Sequence, residues 1–459
     1  MAGWLLNLMY LLALALSCPV WLVRMLRHGK YRRDWAQRLG RVPPRHGLQP
    51  VIWIHGVSVG EVRAARELVA ELHAQLPDFR VAVSATTDTG LATARQLFAP
   101  DHTVFRYPVD LTFAVSAALN RLRPDLVVLM EGDVWPNLLS ACRKRDIPVV
   151  VVNGRVGPRK GFPRYRRVRR FAGRLFNGLT AIGVQDPLYA DLFARLGVDA
   201  KKLHVTGMMK YDTAQLADRV DGQDALAAAL GIDPAGALLV AGGTGAGEEA
   251  LVLDAFERVV RAGGAEAARL VIVPRKPERF EQVARLITDR GHTLTRRSAH
   301  PDGAAPPVHP AAVILGDTMG DLRKFYALAR CVFVGRSLVP EGGSDMIEAA
   351  ALARPVAFGP HTFNFPQADS LLEAGAACRV ADAEALAAVW AGWMTDPAGA
   401  GRMAAGAREF VRANQGATRR NVEMICRVLG RVPALAAGGV ATDAIVAPVP
   451  VEPTADSAD

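Results

Sequence analysis

Short runs of almost unbroken apolar residues alternate with segments of helical spacing through most of this chain, and that alternation limits the folds open to it. Val51–Ile54, Val81–Ser84, Leu126–Met130, Val149–Val152 and Ala181–Val184 read as strands, with helical stretches such as Glu61–Leu76 and Leu91–Phe98 between them. A strand that is apolar on both faces has to be covered on both, as in a parallel sheet between two helix layers. The rhythm pauses from about 205 to 223 and resumes with Leu238–Ala241, Leu270–Val273, Ala312–Leu315 and Cys331–Val334. The expectation is therefore an α/β chain of two doubly wound, Rossmann-like domains facing a cleft, over residues 35–214 and 215–430. Ligands of such sheets bind outside the carboxyl ends of the strands, so chemistry is sought in the loops that follow these runs. Residues 431–459 show no helical stripe and read as a disordered tail.

Residues 1–34 are of a different kind. Trp4 to Val23 is twenty residues without a charge, long enough to cross a hydrocarbon core. Arg24, Arg27, Lys30, Arg32 and Arg33 follow it and no basic side chain precedes it, the reverse of a signal peptide. That flank predicts a single N-terminal anchor with the following domains on the cytoplasmic side, and Pro19 leaves open a tilted or interfacial helix. The formal net charge of +10 points to an anionic partner: phospholipid, a phosphorylated substrate or nucleic acid. The five cysteines are widely spaced without a CxxC pair, which argues against a disulfide framework and against a zinc site.

Several polar motifs fall just after predicted strands. His55-Gly-Val-Ser-Val-Gly-Glu61 ends in a glutamate with two readings: a first-turn carboxylate serving the helix dipole, or a general base at the cleft. Its GxSxG spelling matches a nucleophile elbow, but it follows the first strand, whereas a hydrolase elbow usually follows a later one, which ranks a serine hydrolase well below both. In Met130-Glu131-Gly-Asp133-Val-Trp-Pro136, Asp133 reads as a cap for the helix that Pro136 begins and Glu131 as the functional member. From Arg155 to Arg174 there are nine basic residues in twenty and no acid, interspersed with Phe162, Tyr165 and Phe171. That composition suits anionic lipid or a phosphorylated acceptor, and no nucleic-acid fold signature accompanies it. In the second half, the Gly-rich loop 241–247 lacks a P-loop lysine, and Pro274-Arg275-Lys276 offers charge to a phosphate. Gly342-Gly343 ahead of a helix reads either as exposed N–H groups for a phosphate, with Glu348 for ribose hydroxyls, or as an ordinary helix start.

Taken in order, WIHGVSVGEVRAA, TTDTG, YPVDL, MEGDVWPN, VVNGR, TGMMKYD, PRKPERF, GDTMGDL and GPHTFNFPQ resemble the Kdo transferases of lipopolysaccharide biosynthesis. The resemblance runs from the N-terminal segment to about residue 430. It implies the GT-B architecture and an inverting, metal-independent transfer of 3-deoxy-D-manno-octulosonic acid (Kdo) from CMP-Kdo to a lipid A precursor. No cofactor is implied, since CMP-Kdo is a co-substrate, and the implied location is an anionic bacterial inner membrane. Glu61 matches the proton acceptor, and Glu131 and Lys210 match positions proposed to stabilise the transition state. Pro274, Arg275, Met319, Gly320, Asp321, Asp345, Met346, Ile347 and Glu348 match segments that contact CMP, while His361 to Asn364 fall in a motif whose role stays open. The chain departs from the family at Ser344-Asp345-Met346-Ile347, where His-Asn-Pro-Leu is common, at Met208-Met209, and near Thr244-Gly245. The competing readings are a GT-B transferase using a UDP-sugar and an inactive lipid-binding relative.

Overall fold

The computed structural model describes residues 3–28, 33–158, 161–262, 268–307 and 312–431, so the expected tail lies, but for Arg431, outside the described residues. Two seven-stranded sheets organise the chain. The first comprises β1 (Val51–Gly56), β2 (Arg80–Ala85), β3 (Thr103–Arg106), β4 (Leu126–Met130), β5 (Val149–Gly154), β6 (Ala181–Val184) and β7 (Leu203–Val205). Their order is β3-β2-β1-β4-β5-β6-β7. The second comprises β8 (Leu238–Thr244), β9 (Arg269–Pro274), β10 (Leu294–Arg296), β11 (Val313–Leu315), β12 (Cys331–Val334), β13 (Val356–Phe358) and β14 (Cys378–Arg379), in the order β10-β11-β9-β8-β12-β13-β14. The neighbours pair in parallel throughout, as the near-continuous apolar runs require. The central strands β1, β4, β5, β8 and β12 are fully buried. The first order reverses direction once, between β1 and β4; the second reverses between β8 and β12 and once more at its far edge, where β11 lies between β10 and β9. At such switch points the flanking connections diverge and leave a crevice at the carboxyl ends.

The two halves are joined at a short 3₁₀ turn, Met209–Tyr211, whose outer residues belong to different cores. Met209 is buried against the first sheet, and its N–H donates to Asn153 Oδ1 at 3.1 Å. Tyr211 is buried in the core of the second half. Asp212 then accepts from Gly416 N at 2.6 Å and Thr418 N at 2.5 Å, capping the helix Ala417–Val428. That helix returns across the junction, burying Val422 and Ile425 against the first half, while Val411 of the preceding helix Pro397–Ala413 stays in the second.

The N-terminal helix Gly3–His28 differs from the spanning anchor expected for it. Among the described residues no helix is long and apolar enough to cross a membrane. The two polar residues early in its uncharged run are committed to the first domain instead of to lipid. Asn7 Oδ1 accepts from Thr112 N and Oγ1 and from Asn137 Nδ2 at 3.0–3.2 Å, and Tyr10 donates to Asp110 at 3.2 Å. Leu8, Leu12 and Leu16 remain exposed at 47%, 55% and 82%, one aliphatic row at i, i+4 and i+8 spacing.

Candidate functional site

At the β1/β4 switch point the loop after β1 turns into the helix Val59–Gln75. Ser58 caps this helix, and the Glu61 side chain reaches back to the turn before it. Its Oε2 accepts from Val57 N at 2.8 Å and its Oε1 from Ser58 Oγ at 2.8 Å. The side chain is only 8% exposed. Burial pushes the Glu61 carboxyl above its ordinary range; the bonds from Val57 and Ser58 oppose this, and the negative fields of Glu131 and Asp133 add to it. Glu61 is thus tied into the start of the helix and is at the same time a buried carboxyl raised above its ordinary range at the crevice.

Glu131 stands across the same crevice in the left-handed region, at φ 60°. Its N–H donates to Val152 O at 2.9 Å and its carbonyl accepts from Arg155 N at 3.1 Å, so the kink is held by β5 and the loop after it. Its carboxylate takes both Arg155 Nη2 at 2.7 Å and Nε at 2.9 Å. Asp133 does not cap the helix Pro136–Arg143 as expected. Asp110 does so from the YPVDL segment, accepting from Asn137 N at 3.0 Å and Leu138 N at 2.9 Å. Burial raises the Asp133 carboxyl against the pull of Arg155 and Arg164.

The basic run forms the helices Gly161–Arg167 and Arg169–Phe176, with Arg164, Arg166, Arg167, Arg169, Arg170 and Arg174 exposed; Arg159 and Lys160 lie outside the described residues. Its aromatic content is not the lipid-facing set expected. Phe162 and Tyr165 pack on the core of the first half and only Phe171 is exposed, because the helices need an apolar face of their own to dock.

In the second half, the loops after β9, β11 and β12 carry the remaining candidates. Pro274 is buried at the end of β9 and Arg275 is exposed beyond it. Met319 is 72% exposed beside Gly320, at φ 98°. Asp321 is already engaged: its Oδ2 accepts from Thr318 Oγ1 at 2.7 Å and Arg297 Nε at 3.0 Å, and Lys324 pairs with Oδ1 at 3.0 Å. Burial alone would raise its carboxyl, and those three donors outweigh burial and hold it low. Met346 and Ile347 are buried anchors of the helix Ile347–Ala351. Burial raises the Glu348 carboxyl first and the Asp345 charge raises it further, against Arg323, Lys210 and Arg275, which places these charged groups together.

Of the two amides read as a phosphate cradle at Gly342-Gly343, that of Gly343 already has a partner. Gly343 N donates to Arg336 O at 2.7 Å and Asn364 N donates to Gly342 O at 3.2 Å. Both glycines have positive φ, and a Cβ on Gly342 would lie 2.0 Å from Asn364 Nδ2, so this turn is fitted to the HTFNF segment and its Gly343 amide is already engaged.

Lys210 brings the halves together. From the junction turn its Nζ reaches Asp345 Oδ2 at 3.1 Å and lies 4.3 Å from the centroid of the Phe365 ring. Sequence reasoning missed Phe365 and Asn153 as working parts and read Arg155 only as part of the basic run, although Asn153-Gly154 was a visible signal, since asparagine tolerates the φ of 55° found there. It also missed Glu248, wholly buried, which carried no signal beyond its place at a helix start.

Two parallel sheets with a crevice at each switch point and a charged cluster at their junction define a two-domain fold of the GT-B kind. The same fold is seen in MurG from Acinetobacter baumannii, at 17% identity, TM-score 0.51, and 83% and 100% of the two chains covered. A UDP-GlcNAc 2-epimerase from Neisseria meningitidis shares it at 15% identity, TM-score 0.56, and 82% and 100% coverage. Residues 33–213 match the family described as 3-Deoxy-D-manno-octulosonic-acid transferase (kdotransferase). The chain is 34% identical over 444 residues to the 3-deoxy-D-manno-octulosonic acid transferase of Bordetella pertussis, covering 92% of this chain and 99% of that one. It is 33% identical over 345 residues to the Haemophilus influenzae protein of that name, covering 74% and 77%. The chain belongs to the 3-deoxy-D-manno-octulosonic acid transferase family.

Proposed function

We propose that this chain transfers Kdo from CMP-Kdo to a lipid A precursor, by one inverting displacement that needs no metal. The observation that carries the reading is the buried, upward-tuned Glu61 carboxyl at the β1/β4 switch point, in a member of this family. In this reading Glu61 takes the proton of the acceptor hydroxyl, whose oxygen attacks the anomeric carbon of Kdo as the bond to the CMP phosphate breaks. Glu131 faces the positive charge that develops on the sugar, and Lys210 faces the departing negative charge. Arg275, Glu348 and the backbone around Met319-Gly320 hold CMP, while Asp321 keeps that loop in place through Thr318, Arg297 and Lys324. The test is incubation with CMP-Kdo and a tetraacylated lipid A precursor, followed by mass spectrometry of the lipid. A lipid lengthened by Kdo is expected; modification from a UDP-sugar and not from CMP-Kdo would overturn the reading.

The acceptor's two phosphates and its acyl chains make membrane association part of the same reading. The exposed leucine row of the N-terminal helix suits the bilayer interface, and the exposed arginines of 164–174 suit anionic head groups. Each such arginine near an anionic surface contributes about 1 kcal/mol at low salt. Replacing Arg166, Arg167, Arg169 and Arg170 together by Gln is expected to raise the apparent KM for the lipid acceptor at least tenfold and to reduce binding to phosphatidylglycerol vesicles. CMP affinity, measured by calorimetry, stays at the wild-type value. Unaltered vesicle binding and acceptor use would make this run an ordinary solvated surface.

A further inference from the structure

Lys210 belongs to the junction turn, yet both groups that define where its ammonium sits come from the second half. Asp345 supplies a counter-ion at 3.1 Å, and Phe365 supplies an aromatic face at 4.3 Å. The lysine side chain is 34% exposed and the Asp345 side chain 36%, so the ion pair alone is a weak restraint in solvent. The ring is the firmer of the two. Phe365 is half-buried against the core of the second half, and its N–H donates to Thr362 O at 2.8 Å. Its edge also lies over Gly343, where a Cβ would come within 3.3 Å of Cδ2. Asp345 has a second duty, since its Oδ1 accepts from Ile347 N at 3.1 Å at the start of the helix that bears Glu348.

We propose that Phe365 is a positioning residue for the transfer reaction: its ring holds the Lys210 ammonium at the donor side of the cleft. This rests on the reading of Lys210 as the group that meets the departing negative charge. A donor made of a nucleoside monophosphate and a sugar acid carries two anions into a site where Asp345 already occupies the lysine. The ammonium has to exchange one carboxylate partner for a ligand oxygen without swinging into water, where a flexible four-carbon stem would otherwise take it. An aromatic face attracts a cation without competing for its hydrogen bonds, so it restrains the ammonium through that exchange. The Gly342-Gly343 turn and the HTFNF segment acquire a joint purpose here, as the mount for the ring.

Phe365→Leu is expected to lower kcat about tenfold with KM for CMP-Kdo within about threefold of wild type, since a lost cation–π contact acts on the group that meets the transition state. Phe365→Tyr, which keeps the ring, restores kcat to within about twofold of wild type. In protein labelled with ¹³C-lysine, the Lys210 ε-methylene resonance is expected upfield through the ring current, and it returns to the exposed-lysine position in Phe365→Leu. Wild-type kcat in the leucine variant, equal impairment of the leucine and tyrosine variants, or no upfield shift in the parent protein would each overturn the proposal. Lys210→Gln, measured beside them, separates the two failures: if it is inactive while Phe365→Leu is normal, only the role of Phe365 falls. If Lys210→Gln transfers at the wild-type rate, the reading of Lys210 falls as well.

Discussion

Glu61→Gln is expected to lower Kdo transfer by about 10²- to 10⁴-fold, the usual cost of removing a general base, while CMP binds with its wild-type affinity. The substitution keeps the local structure. The Gln carbonyl still accepts from Val57 N, and Ser58 Oγ turns to accept from the amide, so the helix cap survives and only the proton acceptor is lost. The pH profile gives a second readout. A base works deprotonated, and burial with the neighbouring Glu131 and Asp133 charges raises this carboxyl, so activity falls as pH drops through a value above the ordinary glutamate range. The residual rate of the Gln variant lacks that acidic limb. Activity within a few fold of wild type, with the limb retained, would move the base elsewhere.

The largest stability effect is expected at Glu248, which is given no substrate contact in the proposal above. Its carboxylate lies at the β8/β12 switch point and accepts four backbone N–H groups: Gly245 at 3.0 Å and Arg336 at 2.5 Å on Oε2, and Ser337 at 2.9 Å and Leu338 at 2.8 Å on Oε1. Two loops that diverge at the crevice are thereby tied by one side chain, and Arg336 is held in the left-handed region at φ 59°. Glu248→Leu leaves those donors buried without acceptors, at a cost of roughly 3–5 kcal/mol in unfolding free energy. Urea denaturation followed by tryptophan fluorescence reads this through Trp390, buried in the same half. Glu248→Gln, which can accept on one oxygen only, falls between the leucine variant and wild type. A leucine variant within about 1 kcal/mol of wild type would mean that water or a loop shift satisfies the four amides.

The strand-helix rhythm made the fold legible before any coordinates, because a parallel strand buried on both faces leaves a local apolar signature. Leu126–Met130, Ala181–Val184 and Cys331–Val334 were readable to the residue for that reason. Thr103–Arg106, Leu203–Val205, Leu294–Arg296 and Cys378–Arg379 were not, since short strands at or near a sheet edge are partly exposed and carry polar residues. The glutamates after β1 and β4 were legible as candidates because a carboxylate beside an apolar strand end demands an explanation.

Their partners were not legible. That Glu131 faces Arg155, that Asp110 and not Asp133 caps the helix after Trp135, and that Asn153 receives Met209 N all depend on which loops the strand order makes neighbours. The uncharged run at the N-terminus was read correctly as a helix, but Asn7 and Tyr10 turn one part of it onto the first domain through contacts more than ninety positions away. Sequence by itself determined most of the elements and the doubly wound class, because periodicity and burial are properties of neighbouring residues. Only the tertiary structure decided that Lys210 crosses to Asp345 and Phe365, because an ion pair spanning two domains is set by their packing and leaves no pattern along the chain.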